Sequence, residues 1–178
     1  MITLIILFYL IVGIYTGARR GLTLQLVYIA GYFITFLVAL FTHEKLAKFL
    51  SVFIPYPSYV PGNQLAIFSQ EQAMNLDHSF YRLISFLVIM ILGWLVVRFL
   101  GYIASELTFL PLLKQFNTIS GAALGFLMNY LFIYFVLYAI AMIPLAPAQK
   151  MIEGGLPNFI ITKTPFVTQI VSSWLLPK

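Results

Sequence analysis

Gly13-Ile14-Tyr15-Thr16-Gly17-Ala18-Arg19-Arg20-Gly21 is the stretch on which the fold of this 178-residue chain turns. Its three glycines recur every four residues, about one turn of α-helix, so they line one face. A face without side chains lets a second backbone approach closely, as in small-xxx-small packing between membrane helices. Arg19 and Arg20 interrupt an apolar run, and a second apolar run starts at Leu22. The pattern predicts a tight hairpin between two membrane helices.

Composition agrees with a bilayer as the solvent. The chain is 62% hydrophobic and 8% charged, where a soluble domain carries about 25% charged residues. A soluble fold of this size could not bury so much apolar surface, and the remainder would drive aggregation. The net charge of +5 is scattered beside apolar runs. That distribution suits anionic lipid headgroups and argues against nucleic acid as a partner. Cysteine is absent, which excludes disulfides, thiolate nucleophiles and zinc–thiolate centres. The opening Met1-Ile2-Thr3-Leu4 has no basic n-region, so the first helix is expected to be retained.

On either side of the hairpin, spans are predicted at about 2–18 and 22–41, the first slightly short of the roughly 20 residues a crossing needs. Further spans are predicted at 80–104 and 119–143. The expected fold class is all-α: an integral membrane domain over 1–143 with four transmembrane helices, and an interfacial tail over 144–178. In the loop 42–79, Leu46, Phe49, Leu50 and Phe53 share one helical face, away from Lys45, Lys48 and Ser51. This predicts a short helix on the membrane surface before Pro55, Pro57 and Pro61 break the chain. Residues 64–76 fit a second short surface helix, and the connector 105–118 stays near the interface through Leu107, Phe109, Leu110, Leu112 and Leu113. In the tail, Thr164 reads as an N-cap and Pro165 as the first helical position. From there Phe166, Val167, Ile170, Val171, Trp174 and Leu175 form one stripe, opposed by Thr168, Gln169, Ser172 and Ser173. Such a helix is expected to lie in the interface with Trp174 at headgroup depth.

Orientation follows from the basic residues. Arg19 and Arg20 in a short loop place that loop in the cytoplasm, and hence both termini outside. Arg98 and Lys114 fall on the same side, while Lys45, Lys48, Arg82 and Lys150 oppose them.

Few residues carry chemistry. Gly13, Gly17 and Gly21, with Gly121 and Gly125, read as close-packing surfaces. Asn129 extends the second set by one turn, placed to hydrogen-bond a neighbouring helix or to line a polar pathway. Arg98 is the charge nearest the hydrocarbon, where a mid-bilayer position costs about 2.5–3.5 kcal/mol. Close to a helix end it can snorkel, so it reads as an interfacial anchor alongside Arg19 and Trp174, with a buried functional partner as the other reading. His43 and His78 fall in the loop beside Glu44 and Asp77 without metal-binding spacing, so no metal site is expected. All five acidic residues lie outside the spans, leaving no carboxylate relay for an ion-coupled transporter. Dinucleotide, P-loop, nucleophile-elbow and kinase motifs are absent, so neither an enzyme nor a bound cofactor is expected.

Together these features resemble the colicin V production protein (CvpA) family, small bacterial inner-membrane proteins with four predicted helices and an amphipathic tail. The resemblance rests on Arg20-Gly21 closing the first apolar helix ahead of Leu22-Thr23-Leu24-Gln25-Leu26. It rests also on Asn117, Gly121 and Gly125 opening the last span, and on the tail 151–175 with Thr164-Pro165. Two positions depart from the family pattern: Thr3 stands where many members carry Asp, and Asn117 replaces an acidic residue. The resemblance implies a protein of the bacterial cytoplasmic membrane with a role in toxin or bacteriocin production, export or envelope maintenance, and no known reaction. A non-enzymatic accessory factor is the expected function; a small oligomeric transporter or channel is the alternative. Membrane lipids, other membrane or secretion proteins and a second copy of the chain are the implied partners.

Overall fold

A computed structural model describes residues 2–57, 65–68, 76–105 and 114–175, apart from the side chains of 104–105, 114–115, 165–166, 172 and 174–175. The expected surface helix over 64–76 and the connector 106–113 therefore lie largely outside the described residues. The regular elements are all helices: α1 (Ile2–Phe53), α2 (Leu76–Ser105), α3 (Lys114–Ala141), α4 (Ala146–Ile152), α5 (Gly155–Thr162) and α6 (Pro165–Leu175). Three of these, over Ile2–Phe53, Leu76–Ile103 and Phe116–Ala141, are long and apolar enough to cross a membrane. This is an all-α membrane protein.

Gly21 breaks α1. Its backbone angles, φ 73° and ψ 175°, lie in a region essentially confined to glycine, because a Cβ would collide with the flanking peptides. The break divides α1 into a first arm, 2–20, and a second arm, 22–53.

The second arm continues past Thr42 as helix to Phe53 instead of opening into a loop there. Charge ends an apolar crossing, but it does not end a helix. Glu44, Lys45, Leu46, Ala47 and Lys48 are all good helix formers. The stop comes at Pro55, which disfavours helical geometry in the residue before it. The surface helix expected over 43–54 is thus the end of the second arm. His43 likewise belongs to α1 and is buried at 4% exposure, while His78 is exposed in the first turn of α2.

The described chain forms two compact units, one of Thr3–Phe41 with Val88–Ile133 and one of Thr42–Leu87 with Tyr134–Lys178. In the first, the second arm and α2 run antiparallel. Tyr28 lies against Gly101, Gly31 against Val97 and Thr35 against Gly93. Gly93 and Gly101 are eight residues apart, about two helical turns, and so receive the two bulkier partners on one face.

In the second unit the core is built on Leu76, Leu83, Phe86, Tyr134, Tyr138 and Met142, joined by Ile152, Ile160 and Ile161 from the tail. Pro144 stops α3 and leaves its last carbonyls without helical partners. Gln149 fills that need from α4: its amide nitrogen donates to Ala141 O at 3.1 Å and Ile143 O at 2.7 Å, and its carbonyl oxygen accepts from Ala66 N at 2.8 Å. Phe68 then packs edge-on against Tyr138 at 5.5 Å. The Tyr56 hydroxyl donates to Met142 O at 2.6 Å.

Ahead of α6 in the tail, α4 and α5 form, and they bury Pro157 and both isoleucines of α5. α6 starts at Pro165 and is held to α3 through a polar contact. The Tyr134 hydroxyl donates to Thr168 Oγ1 at 3.0 Å, and Thr168 in turn donates to Ile161 O at 2.7 Å. Val171 is buried at 2% exposure while Ile170 is 68% exposed. Thr168 and Val171 thus face the protein, and Ile170, the other described residue at this level of the apolar stripe, is left exposed.

Candidate functional site

Asn117, Gly121, Gly125 and Asn129 recur at four-residue intervals on α3, as Gly13, Gly17 and Gly21 do on the first arm. The two series meet head to tail in one seam. Gly21 faces Asn117, Gly17 faces Gly121 and Gly125, and Gly13 faces Asn129. At the centre the contact is backbone on backbone. A Cβ built on Gly17 would fall 2.9 Å from Gly125 Cα, and one on Gly121 would fall 2.7 Å from the Gly21 carbonyl carbon. Ordinary carbon contacts lie near 3.5–4.0 Å, so only glycine fits at this depth.

Each end of the seam is closed by an asparagine. Asn129 Nδ2 donates to the Tyr9 carbonyl at 3.0 Å, beside a Tyr9–Phe132 ring stack at 5.9 Å. At the other end Asn117 Oδ1 accepts from Leu22 N at 2.6 Å and from Thr23 N at 3.4 Å. Those are among the amides a helix start leaves unpaired, so a residue of α3 caps the second arm of α1. An asparagine and an aspartate oxygen serve a cap about equally well. Asn117 thus caps the second arm with a neutral side chain where an acidic one would serve as well.

Beside the cap stand the arginines. Arg20 stacks on Tyr28, its Cζ 4.3 Å from the ring centroid; Arg98 lies 5.1 Å from Trp94, and Arg19 lies 5.9 Å from Tyr15. Cation–π contacts of this kind contribute about 0.5–1 kcal/mol at exposed positions. Trp174 sits on α6, and its side chain lies outside the described residues.

The structure thus gathers Gly13, Gly17, Gly21, Asn117, Gly121, Gly125 and Asn129 into one seam, with Arg20 next to it. Arg98 belongs to the second-arm side, with Tyr28 and Tyr32. Missed from sequence were the capping by Asn117, the Gly93 and Gly101 contacts, and Gln149. For Gln149 a signal was present, a polar residue about one turn after a proline-stopped helix. Among the described residues no three His, Cys, Asp or Glu side chains come together as a metal site would require.

No solved structure matches this chain. YshB of Bacillus subtilis strain 168, described as an uncharacterized transmembrane protein, is 31% identical over 172 residues, covering 96% of this chain and 95% of its own. The model of the colicin V production protein family matches residues 2–175. With the seam carried on the glycines and Asn117, and the match running almost end to end, the chain belongs to the colicin V production protein family.

Proposed function

We propose that this protein is a non-enzymatic accessory factor of the bacterial cytoplasmic membrane, serving toxin or bacteriocin production, export or envelope maintenance. The observation that carries this reading is the seam, whose glycines hold two helix backbones together and so serve packing. The family's description supports the class of process.

In this proposal the chain crosses the membrane four times. A straight helix of the 52 residues of α1 would be about 78 Å long, against a hydrocarbon core of about 30 Å. Breaking at Gly21 lets each arm cross separately, with Arg19 and Arg20 holding the turn on the cytoplasmic side and both termini outside. Alkaline phosphatase fused after Lys178 is then active, and a fusion active only in the cytoplasm overturns the orientation. For the function itself, deleting the gene in a bacteriocin-secreting host lowers secretion, and the wild-type chain restores it. Unchanged secretion would sink the accessory reading.

A small oligomeric transporter or channel is the second reading. It is favoured by Thr23 Oγ1 and Gln25 Oε1, buried polar atoms without a hydrogen-bond partner among the described residues. Solute flux in reconstituted liposomes that Gln25→Leu abolishes would favour this reading; no flux above empty liposomes favours the accessory factor.

A further inference from the structure

We infer that Arg20, stacked on Tyr28, and Arg98, one turn before the glycine of α2 that abuts Tyr28, form a binding site for a phosphate ester anion, supplied by the headgroup of an anionic phospholipid. The two arginines come from different helices. Arg20 lies over the Tyr28 ring, and the Tyr28 and Tyr32 rings are 6.1 Å apart. Tyr28 and Arg20 belong to α1, and Arg98 to α2, the helix packed against the second arm at Tyr28, Gly31 and Thr35. A Cβ on Gly101, one turn beyond Arg98, would fall 2.7 Å from the Tyr28 hydroxyl. This places Tyr28 against α2 at the level of Arg98.

Among the described residues of this unit the charge is uncompensated. Residues 3–41 and 88–133 contain Arg19, Arg20, Arg98 and Lys114 against one carboxylate, Glu106, and no described residue of these segments is acidic. By contrast Arg82, in the other unit, is ion-paired with Glu44. Stacking on a ring orients a guanidinium plane while leaving its N–H edge open. An open fork of that kind matches the paired oxygens of a phosphate, and two forks beside tyrosine hydroxyls match one better than two isolated surface cations do. The source is argued from the surroundings. Leu95, Phe99 and Tyr102 are exposed around Arg98 on α2, an apolar surface for acyl chains directly beside the cations.

The test is native mass spectrometry of the full chain in mild detergent, titrated with dioleoylphosphatidylglycerol, dioleoylphosphatidylcholine or glycerol 3-phosphate. Phosphatidylglycerol is expected to bind more tightly than phosphatidylcholine, whose choline cation opposes the arginines. Replacing either arginine, as Arg20→Gln or Arg98→Gln, weakens it by about tenfold, the loss of one charge-assisted contact. Lys48→Gln, in the other unit, leaves it unchanged. Arg98→Gln, at an exposed position, keeps the test valid if Arg20→Gln disturbs insertion. Equal binding of the two lipids, or phosphatidylglycerol binding untouched by Arg98→Gln, overturns the site. Arginine-dependent displacement of phosphatidylglycerol by glycerol 3-phosphate at equal concentration supports the phosphate site but overturns the lipid as its source.

Discussion

Gly17→Leu perturbs the point where the seam is tightest. A single added carbon at Gly17 already falls 2.9 Å from Gly125 Cα and closer still to the Gly121 carbonyl oxygen. Bringing that contact to about 3.5–4.0 Å requires the first arm and α3 to part by roughly 0.5–1 Å, a gap that forfeits a quarter to a half of each dispersion contact. The opposing atoms are backbone, so no side chain can swing aside. A leucine in place of glycine improves helix propensity by under about 1 kcal/mol. Overpacking costs about 1–3 kcal/mol, and an unyielding backbone puts this case at the top of that range, so packing wins. At about 2–4 °C per kcal/mol for a chain of this length, the melting temperature in detergent should fall by roughly 4–10 °C. Gly154→Ala is the control, since nothing lies within 4 Å of a Cβ there, and its melting point should stay within about 1–2 °C of wild type. If Gly17→Leu melts with the wild type, the backbones are not in contact and the reasoning fails.

Asn117→Ala removes the cap from Leu22 and Thr23 and should cost about 0.5–2 kcal/mol, while Asn117→Asp keeps an acceptor and should cost less; equal melting points for the two variants would refute capping. On α6, Val171→Asp places an uncompensated charge in the core of its unit and should cost about 3–5 kcal/mol, whereas Ile170→Asp, on the exposed side, should stay within about 0.5 kcal/mol in detergent. The reverse order in a thermal melt would contradict this packing of α6. Glu44 lies beyond the apolar run 22–41, and the hydrogen bond from Arg82 holds its carboxyl below the ordinary carboxylate value. The pairing is therefore complete above that ordinary value and is lost as pH falls through the lowered one. NMR titration should place the Glu44 midpoint low in the wild type and return it toward about 4.3 in Arg82→Gln.

Much of the seam was legible because its signal is local. Glycines at four-residue spacing declare a bare helix face, and Arg19-Arg20 declare where an apolar run stops. The pairing of Gly17 with Gly121 and Gly125 follows once both faces are bare. Reading polarity as a helix boundary failed at Thr42, since helix length is set by backbone hydrogen bonding and by Pro55, whereas crossing length is set by the hydrocarbon. The apolar stripe of α6 announced the helix but not which of its residues meet protein. Period alone cannot tell a face turned to lipid from one turned to protein, and the Tyr134–Thr168 hydrogen bond puts a polar residue on the protein side. Capping across helices, as by Asn117 on Leu22, leaves no local trace because its partners are 95 residues apart.

The register of the seam can be measured in the membrane itself, since the chain has no native cysteine to interfere. Tyr9 and Phe132 stack at one end of the antiparallel pairing, whereas a parallel pairing through the same glycines would bring Tyr9 toward Gln115. A short bifunctional thiol reagent applied to native membranes should crosslink Tyr9→Cys with Phe132→Cys within one chain and leave Tyr9→Cys with Gln115→Cys unlinked. Crosslinking of the second pair and not the first would contradict the seam.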